Sequence, residues 1–240
     1  MRVLVFSDVH ANLPALEAVL ADAGAVDAYW FLGDLVGYGP DPKACIARLR
    51  GLQPLARVMG NHDAAVLGQM PLRWFNEAAQ KHLLWTQDRL DAEDLAFLAT
   101  ASQQQIIDDV TLVHGSPRAP ITEYLLGSEE AEAALRDLTT PWGFFGHTHK
   151  PILWQEEGGQ VSLYPAAPNK VLHLKPRALL NPGSVGQPRD GDPRAAYAIY
   201  DPDHRLWTWH RVAYDIAAVQ KRMQNFGLPE RNILRLTVGR

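Results

Sequence analysis

RVLVFSDVHANLPALEAVL, residues 2–20, is the stretch that decides the fold. Val3 to Phe6 is a short apolar run, the pattern of a buried strand. Ser7, Asp8 and His10 interrupt it with polar groups. Asn12, a favoured N-cap, and Pro14 in the first turn then open a helix that sets Leu16, Val19 and Leu20 on one face. The same order of apolar run, polar turn and helix recurs downstream. Tyr29 to Leu32, Leu55 to Met59, Val110 to Val113 and Trp142 to Phe145 are short apolar runs, and a second helix extends from about Pro42 through Ile46 and Leu49. Strands alternating with helices predict an α/β chain with a largely parallel sheet.

Residues 73–101 break the alternation with two amphipathic segments, Trp74 to Leu90 and Glu93 to Ala101, which read as a helical insertion. From Arg194 to Val212 aromatic and polar residues alternate around Asp201-Pro202-Asp203, a hairpin signature. A helix from Asp215 to Phe226 stops at Gly227 and Pro229, and Glu230 to Arg240 reads as a further short helix. The aromatic pair Trp207 and Trp209 is expected on the hairpin surface, where it would favour a homo-oligomeric contact.

Composition narrows the function. The 240 residues carry 23 Lys+Arg against 27 Asp+Glu, a formal charge of −4, with nine His and one Cys. A dedicated nucleic-acid binder has a basic stripe and a high pI, whereas this chain has a pI near 6.1. No long nucleic acid is expected as a partner. A lone Cys45 makes no internal disulfide and fits a reducing compartment, and no apolar stretch is long enough to span a membrane. The expectation is a cytoplasmic chain that does not engage membranes.

The residues just beyond each strand carry the chemistry. Asp8 and His10, Asp34, Asn61 and His62, His114, and His147 and His149 each come just after an apolar run. Loops at the carboxyl ends of neighbouring strands converge on one crevice. Imidazoles, carboxylates and an amide suit divalent transition metals such as Mn, Fe, Ni, Zn or Co. Seven such groups, His62 set aside, exceed the needs of one ion. Two ions sharing a carboxylate would use them all, with Asp34 as the natural bridge. In an extended segment, alternate residues of Asp-x-His and His-x-His would face the same way.

Taken in order, Asp8-x-His10, Gly33-Asp34, Gly60-Asn61-His62-Asp63, His114 and Gly146-His147-x-His149 resemble the calcineurin-like metallophosphoesterase superfamily. The segment Asn181 to Asp190 resembles its small bacterial phosphodiesterase branch. The resemblance implies a four-layer α/β/β/α sandwich of two mixed sheets with a small helical insertion. With no repeat or linker segment, the chain reads as one domain over residues 1–240, with the insertion at about 73–101 and the C-terminal hairpin and helix at about 194–227. The resemblance assigns Asp8, His10, Asp34 and His149 to a first metal and Asp34, Asn61, His114 and His147 to a second. The Arg that comes after the bridging Asp in the protein phosphatase branch is absent from Leu35-Val36-Gly37-Tyr38-Gly39, which argues against that branch.

The expected reaction is hydrolysis of a phosphodiester or phosphomonoester, on a small nucleotide-like substrate, by a metal-bridging hydroxide. His62 would protonate the leaving oxygen and Asp63 would orient His62. Asn12, Arg118 and Arg189 are the candidate substrate-binding residues, with Asn181, Gly183 and Ser184 supporting the ligands. His82, His173, His204 and His210 read as ordinary core or surface histidines. A binding scaffold without chemistry and a DNA nuclease are the competing functions. The complete ligand set opposes the first and the acidic balance the second.

Overall fold

Val3 and Val5 face a core between two sheets, whereas Leu4 and Phe6 face helices on the outer side. Every residue of this strand is buried, so side-chain alternation makes one strand serve two cores. The computed structural model describes all residues, Met1–Arg240. In chain order the elements are β1 (Val3–Phe6), α1 (Leu13–Ala23), β2 (Ala28–Phe31), α2 (Pro42–Leu52), β3 (Ala56–Arg57), α3 (Asn61–Val66), a 3-10 turn (Leu72–Trp74), α4 (Glu77–Gln87) and α5 (Ala92–Ala99). Next come β4 (Gln104–Ile107), β5 (Val110–Val113), α6 (Ser128–Asp137), β6 (Trp142–Phe144), β7 (Ile152–Glu157), β8 (Gln160–Pro165), β9 (Val171–His173), β10 (Ala178–Asn181), β11 (Ala195–Asp201), β12 (Leu206–Val212), α7 (Ile216–Asn225) and α8 (Glu230–Val238).

The strands form two six-stranded sheets, ordered β3-β2-β1-β11-β12-β9 and β4-β5-β6-β10-β7-β8. In the first, β1, β2 and β3 are parallel, with β11 antiparallel to β1. In the second, β5, β6 and β10 are parallel. The sheets face each other across Val5, Trp30, Phe144, Leu180 and Trp207. Leu16, Val19 and Ile46 from α1 and α2 cover the outer face of the first sheet, and Ala131, Ala134 and Leu135 from α6 cover the second. The result is the expected four-layer α/β/β/α sandwich of two mixed sheets. Residues 73–101 hold the end of the 3-10 turn, α4 and α5 with no strand between them, and α7 and α8 pair through a small core of their own. No helix is long and apolar enough to cross a membrane.

Asn12 caps α1 by accepting from the Ala15 N–H at 3.2 Å, and Asp215 caps α7 in the same way through Ala218 at 2.9 Å. The sequence pattern does not reveal β4 or β7 to β10. β4 and β8 are edge strands with exposed positions, so they lack an apolar run, and β10 is confined between Pro176 and Pro182. The expected surface position of Trp207 and Trp209 is corrected by the register of β12: both are at most 4% exposed. They point into the inter-sheet core, and the Trp209 indole N–H donates to the Asn181 carbonyl at 2.8 Å. They offer no oligomer contact.

Phe144 is fully buried, edge-on to Tyr200 at 5.1 Å and to Trp207 at 4.6 Å. Phe144→Ala opens a cavity where the sheets meet and is expected to cost about 3–5 kcal/mol. A lowered urea midpoint with unchanged slope is the expected result, and an unmoved midpoint would contradict this account of the core.

Candidate metal centre

The carboxyl ends of β1, β2, β3, β5 and β6 open on one crevice, and the loops leaving them carry Asp8, His10, Asp34, Asn61, His114, His147 and His149. None of these seven is more than 8% exposed. The Asp-x-His and His-x-His pairs do not converge by strand alternation. Asp8, His10, Asp34, His147 and His149 all have left-handed backbones, with φ between 47° and 63°. For residues with a Cβ this conformation costs on the order of 1–3 kcal/mol each and persists only where the surroundings enforce it.

The enforcing bonds are mostly between loops. The backbone N–H groups of Asp8, His10 and Ala11 donate to the carbonyls of Gly33, Asp34 and Leu35 at 2.8–3.0 Å, tying the β1 loop to the β2 loop. The segment after β10 holds the remaining turns. Asn181 donates to the Gly146 carbonyl at 2.6 Å and to the Thr148 hydroxyl at 3.1 Å, while the Ser184 hydroxyl donates to the Asp8 carbonyl at 2.9 Å. Gly183 bends this segment at φ 89°.

The imidazoles are oriented from behind. His10 and His114 place Nδ1 on the carbonyls of Val36 at 3.1 Å and Leu32 at 2.8 Å, His149 places Nδ1 on that of Gln187, and His147 places Nε2 on that of Thr122 at 3.2 Å. A carbonyl only accepts, so each contact fixes a proton on that nitrogen and turns the other ring nitrogen inward. Those inward nitrogens converge. His10 Nε2 lies 3.0 Å from His149 Nε2, and His114 Nε2 lies 3.1 Å from His147 Nδ1. His10 Nε2 and His114 Nε2 also lie 3.5 and 3.4 Å from Asp34 Oδ2. Asp8 Oδ1, 3.3 Å from His149 Nε2, has no hydrogen-bond donor, and Asn61 Oδ1 is 3.2 Å from His114 Nε2.

Donors therefore gather in two groups, Asp8/His10/Asp34/His149 and Asp34/His114/His147, which share Asp34. The His10 and His149 lone pairs face one another without a proton between them and repel, while His114 Nε2 meets Asp34 and His147 Nδ1 through a proton, and a cation is what both arrangements fit. The charge balance says the same. Burial pushes Asp8 up to about 7, opposed by His114 and reinforced by the Asp34 charge. Burial also opposes ionisation of Asp34, but His114, His62 and His10 overcome it and hold its carboxyl well below the ordinary range. Burial alone would lower His114, yet Asp34 and Asp8 lift it to about 9. A proton on His114 is the positive charge this cluster keeps in the absence of metal, and a cation would displace it.

The other expected site residues separate. His62 lines the crevice, 4.9 Å ring to ring from His10 and 4.4 Å from Tyr38; its backbone N–H donates to Asp34 Oδ1 at 2.9 Å and its Nδ1 is buried without a partner. Asp63 does not reach His62. Its carboxylate accepts from the backbone N–H groups of Leu35, Val36 and Gly60 at 3.0–3.2 Å. It latches the β2 loop to the β3 loop because α3 starts at Asn61 and turns the Asp63 side chain back over its own N-terminus. Arg189 lies over the Tyr38 ring at 5.6 Å and bonds the Gln187 side-chain oxygen at 2.7 Å. Arg118 is exposed and committed to Glu123, with Nε at 2.9 Å from both carboxylate oxygens. Asn12 donates to the Gly186 carbonyl at 3.0 Å besides capping α1, so both ends of its amide are occupied within the fold. Tyr124, stacked on His147 at 3.6 Å, is not singled out by the sequence, since a lone Tyr on a loop carries no motif.

A four-layer sandwich with an Asp/His cluster at the shared strand ends defines a metal-dependent phosphoesterase. Residues 1–205 match the calcineurin-like phosphoesterase superfamily domain, and the chain belongs to that family. A metallophosphoesterase from Sphaerobacter thermophilus, known from its crystal structure, is 47% identical, with a TM-score of 0.92 and coverage of 100% of this chain and 99% of its own. An uncharacterized protein of Methanocaldococcus jannaschii is 38% identical over 99% of this chain and 98% of its own length. The phosphodiesterase YfcE of Escherichia coli is 29% identical over 85% of this chain and 89% of its own length. The chain is accordingly a hydrolase of phosphoric esters.

Two outcomes are expected for the metal-free chain. Burial holds His10, His147 and His149 well below 6.5 and His62 at about 4. Asp8, lifted by burial to about 7, and Asp63, lifted to about 6, take up protons in the folded state over the same interval and offset part of their effect. The four histidines outnumber them, so below pH 6.5 the unfolded chain binds more protons than the folded one and stability falls as pH drops toward 5. His114 acts with the opposite sign only above 6.5, where its contribution is lost as pH rises toward 9. Urea midpoints at pH 7 and 5 measure this, and equal midpoints would contradict it. Asp63→Ala strands three buried backbone donors and is expected to cost about 2–5 kcal/mol, read from thermal or urea unfolding. Lost activity with unchanged stability would return Asp63 to a direct role at His62.

Proposed function

We propose that this chain hydrolyses a small nucleotide-like phosphodiester or phosphomonoester at a centre of two divalent transition-metal ions. The observation that carries the reading is the convergence of two buried donor groups on a shared Asp34. Asp8, His10, Asp34 and His149 would hold one ion, and Asp34, Asn61, His114 and His147 the other. The donors are nitrogen and oxygen without thiolate, which suits Mn, Fe, Co, Ni or Zn. Such ions supply Lewis-acid neutralisation of phosphoryl charge and a water made nucleophilic at neutral pH.

The protein's own groups do the rest. The backbone carbonyls of Val36, Leu32, Thr122 and Gln187 keep the four ligand imidazoles in the lone-pair-inward tautomer. His62 is neutral at pH 7, and a ring N–H directed at the leaving oxygen would stabilise its developing charge. An anionic phosphoryl group beside the ring would raise its proton affinity during turnover. Arg189, held by Gln187 above Tyr38, stands near enough to assist an incoming anion. We further infer that residues 1–240 act as one domain, since Arg222 of α7 pairs with Asp41 ahead of α2 and Gly239 accepts from the Gly191 N–H at 2.8 Å. The lone buried Cys45 accords with a reducing, cytoplasmic setting.

Hydrolysis of bis(p-nitrophenyl) phosphate and a nucleotide panel, by stripped protein with and without added Mn²⁺ or Ni²⁺, tests the reading. Metal-dependent turnover is expected, and its absence on every substrate would sink the proposal. His62→Ala is expected to lower kcat by about 10²- to 10⁴-fold with an alkoxide leaving group. The loss should be smaller with p-nitrophenolate, which departs without a proton. Equal losses would show that His62 does not serve the leaving oxygen.

A further inference from the structure

We propose that the cleft beside the metal centre is a nucleobase subsite with Trp74 as its stacking platform, so that the substrate is a nucleoside phosphate. This rests on the phosphoesterase reading above and names the substrate class. The cleft has a volume of about 190 Å³ and a floor of Asn61, His62 and His147, so a group lying in it is joined to a phosphoryl group at the cluster by a short linker. Its walls are Trp74, Phe75 and Tyr124.

Trp74 stands apart from the other tryptophans. Trp30, Trp142, Trp154, Trp207 and Trp209 are buried, and Trp85 is half-buried under the Arg89 guanidinium and Phe226, whereas Trp74 is 64% exposed. Leaving a large apolar ring in water forgoes the stabilisation its burial would give. The backbone that carries it is nonetheless fixed. Trp74 ends a 3-10 turn in which its N–H donates to the Pro71 carbonyl at 3.1 Å and the Phe75 N–H to that of Leu72 at 2.9 Å. Phe75 meets the edge of His62 at 5.1 Å, and Tyr124 stacks on His147 at 3.6 Å. Two of the three aromatic walls, Phe75 and Tyr124, are thus attached to the two histidines on the floor.

The polar groups narrow the occupant further. Asn76 uses its side-chain oxygen to cap α4 through the Ala79 N–H at 3.1 Å, which leaves its amide N–H groups for an acceptor in the cleft. Thr122 adds a hydroxyl that donates or accepts. No Lys, Arg, Asp or Glu lines the cleft, so a second phosphate or another charged group is not what it takes. A flat, neutral ring with hydrogen-bonding edges meets these conditions, and unstacked bases are recognised in this way on aromatic side chains.

The test is equilibrium binding of AMP and of ribose 5-phosphate to the Mn²⁺-loaded chain, in wild type, Trp74→Ala and Trp74→Phe, alongside turnover of bis(p-nitrophenyl) phosphate. Wild type should bind AMP more tightly than ribose 5-phosphate. Trp74→Ala should reduce that preference by about 5- to 150-fold, the equivalent of about 1–3 kcal/mol per stacked base, and Trp74→Phe should keep most of it. Equal binding of the two ligands by wild type, equal weakening of both by Trp74→Ala, or no binding of either would overturn the subsite. Metal-dependent turnover that persists in those cases leaves the phosphoesterase reading standing. AMP preference without any turnover supports the subsite and overturns the reaction.

Discussion

Four imidazoles and two carboxylates, gathered in a buried crevice as two groups whose ligand atoms lie within 4.8 Å of one another, are the constraint on which the rest of this structure depends. The two carboxylates, and the facing nitrogens of His10 and His149, repel unless positive charge lies between them, so the geometry has to be imposed by groups behind it. Backbone carbonyls do this for the rings, and neighbouring loops do it for the left-handed turns. The fit is close enough to dictate residue types well outside the ligands. A Cβ on Gly60 would lie 2.0 Å from Asp34 Oδ1, and one on Gly146 would lie 2.0 Å from Ser7 Oγ. Only glycine lets the β3 and β6 loops approach that near.

Much of this was legible in the sequence because the ligands are side chains with distinctive chemistry placed after recognisable strands. The runs at Val3, Tyr29, Val110 and Trp142 lie in the interior of the two sheets, where apolar residues face a core on both sides. The edge strands β4 and β8 were not legible, since exposed positions carry no such pattern. The groups that orient the histidines were hidden for another reason. Val36, Leu32, Thr122 and Gln187 act through their carbonyls, and a carbonyl leaves no trace in residue identity. Asp63 shows the converse. Its place beside His62 suggested a partnership that the backbone direction at the start of α3 does not permit.

The mild acidity of the chain takes on a local meaning at the crevice. Asp8 and Asp34 supply two of its carboxylates, and two divalent ions would add four positive charges where the formal total is −4. An anion would then meet a favourable field at the cluster and a neutral aromatic cleft beside it. That division of labour separates the force that holds a phosphoryl group from the contacts that choose what it is attached to. The helical insertion, which contributes Trp74 and Phe75, could therefore change without disturbing the ligands on the sheet ends.

The spread of the ligands along the chain also has a consequence for biosynthesis. Asp8 and His10 emerge first from the ribosome, yet His147 and His149 come about three-fifths of the way to the last residue, and Asn181 and Ser184, which brace both turns, later still. Until then neither donor group is complete, the first lacking His149 and the second His147. An ion bound at this site would therefore be chosen by the finished fold rather than by the nascent chain.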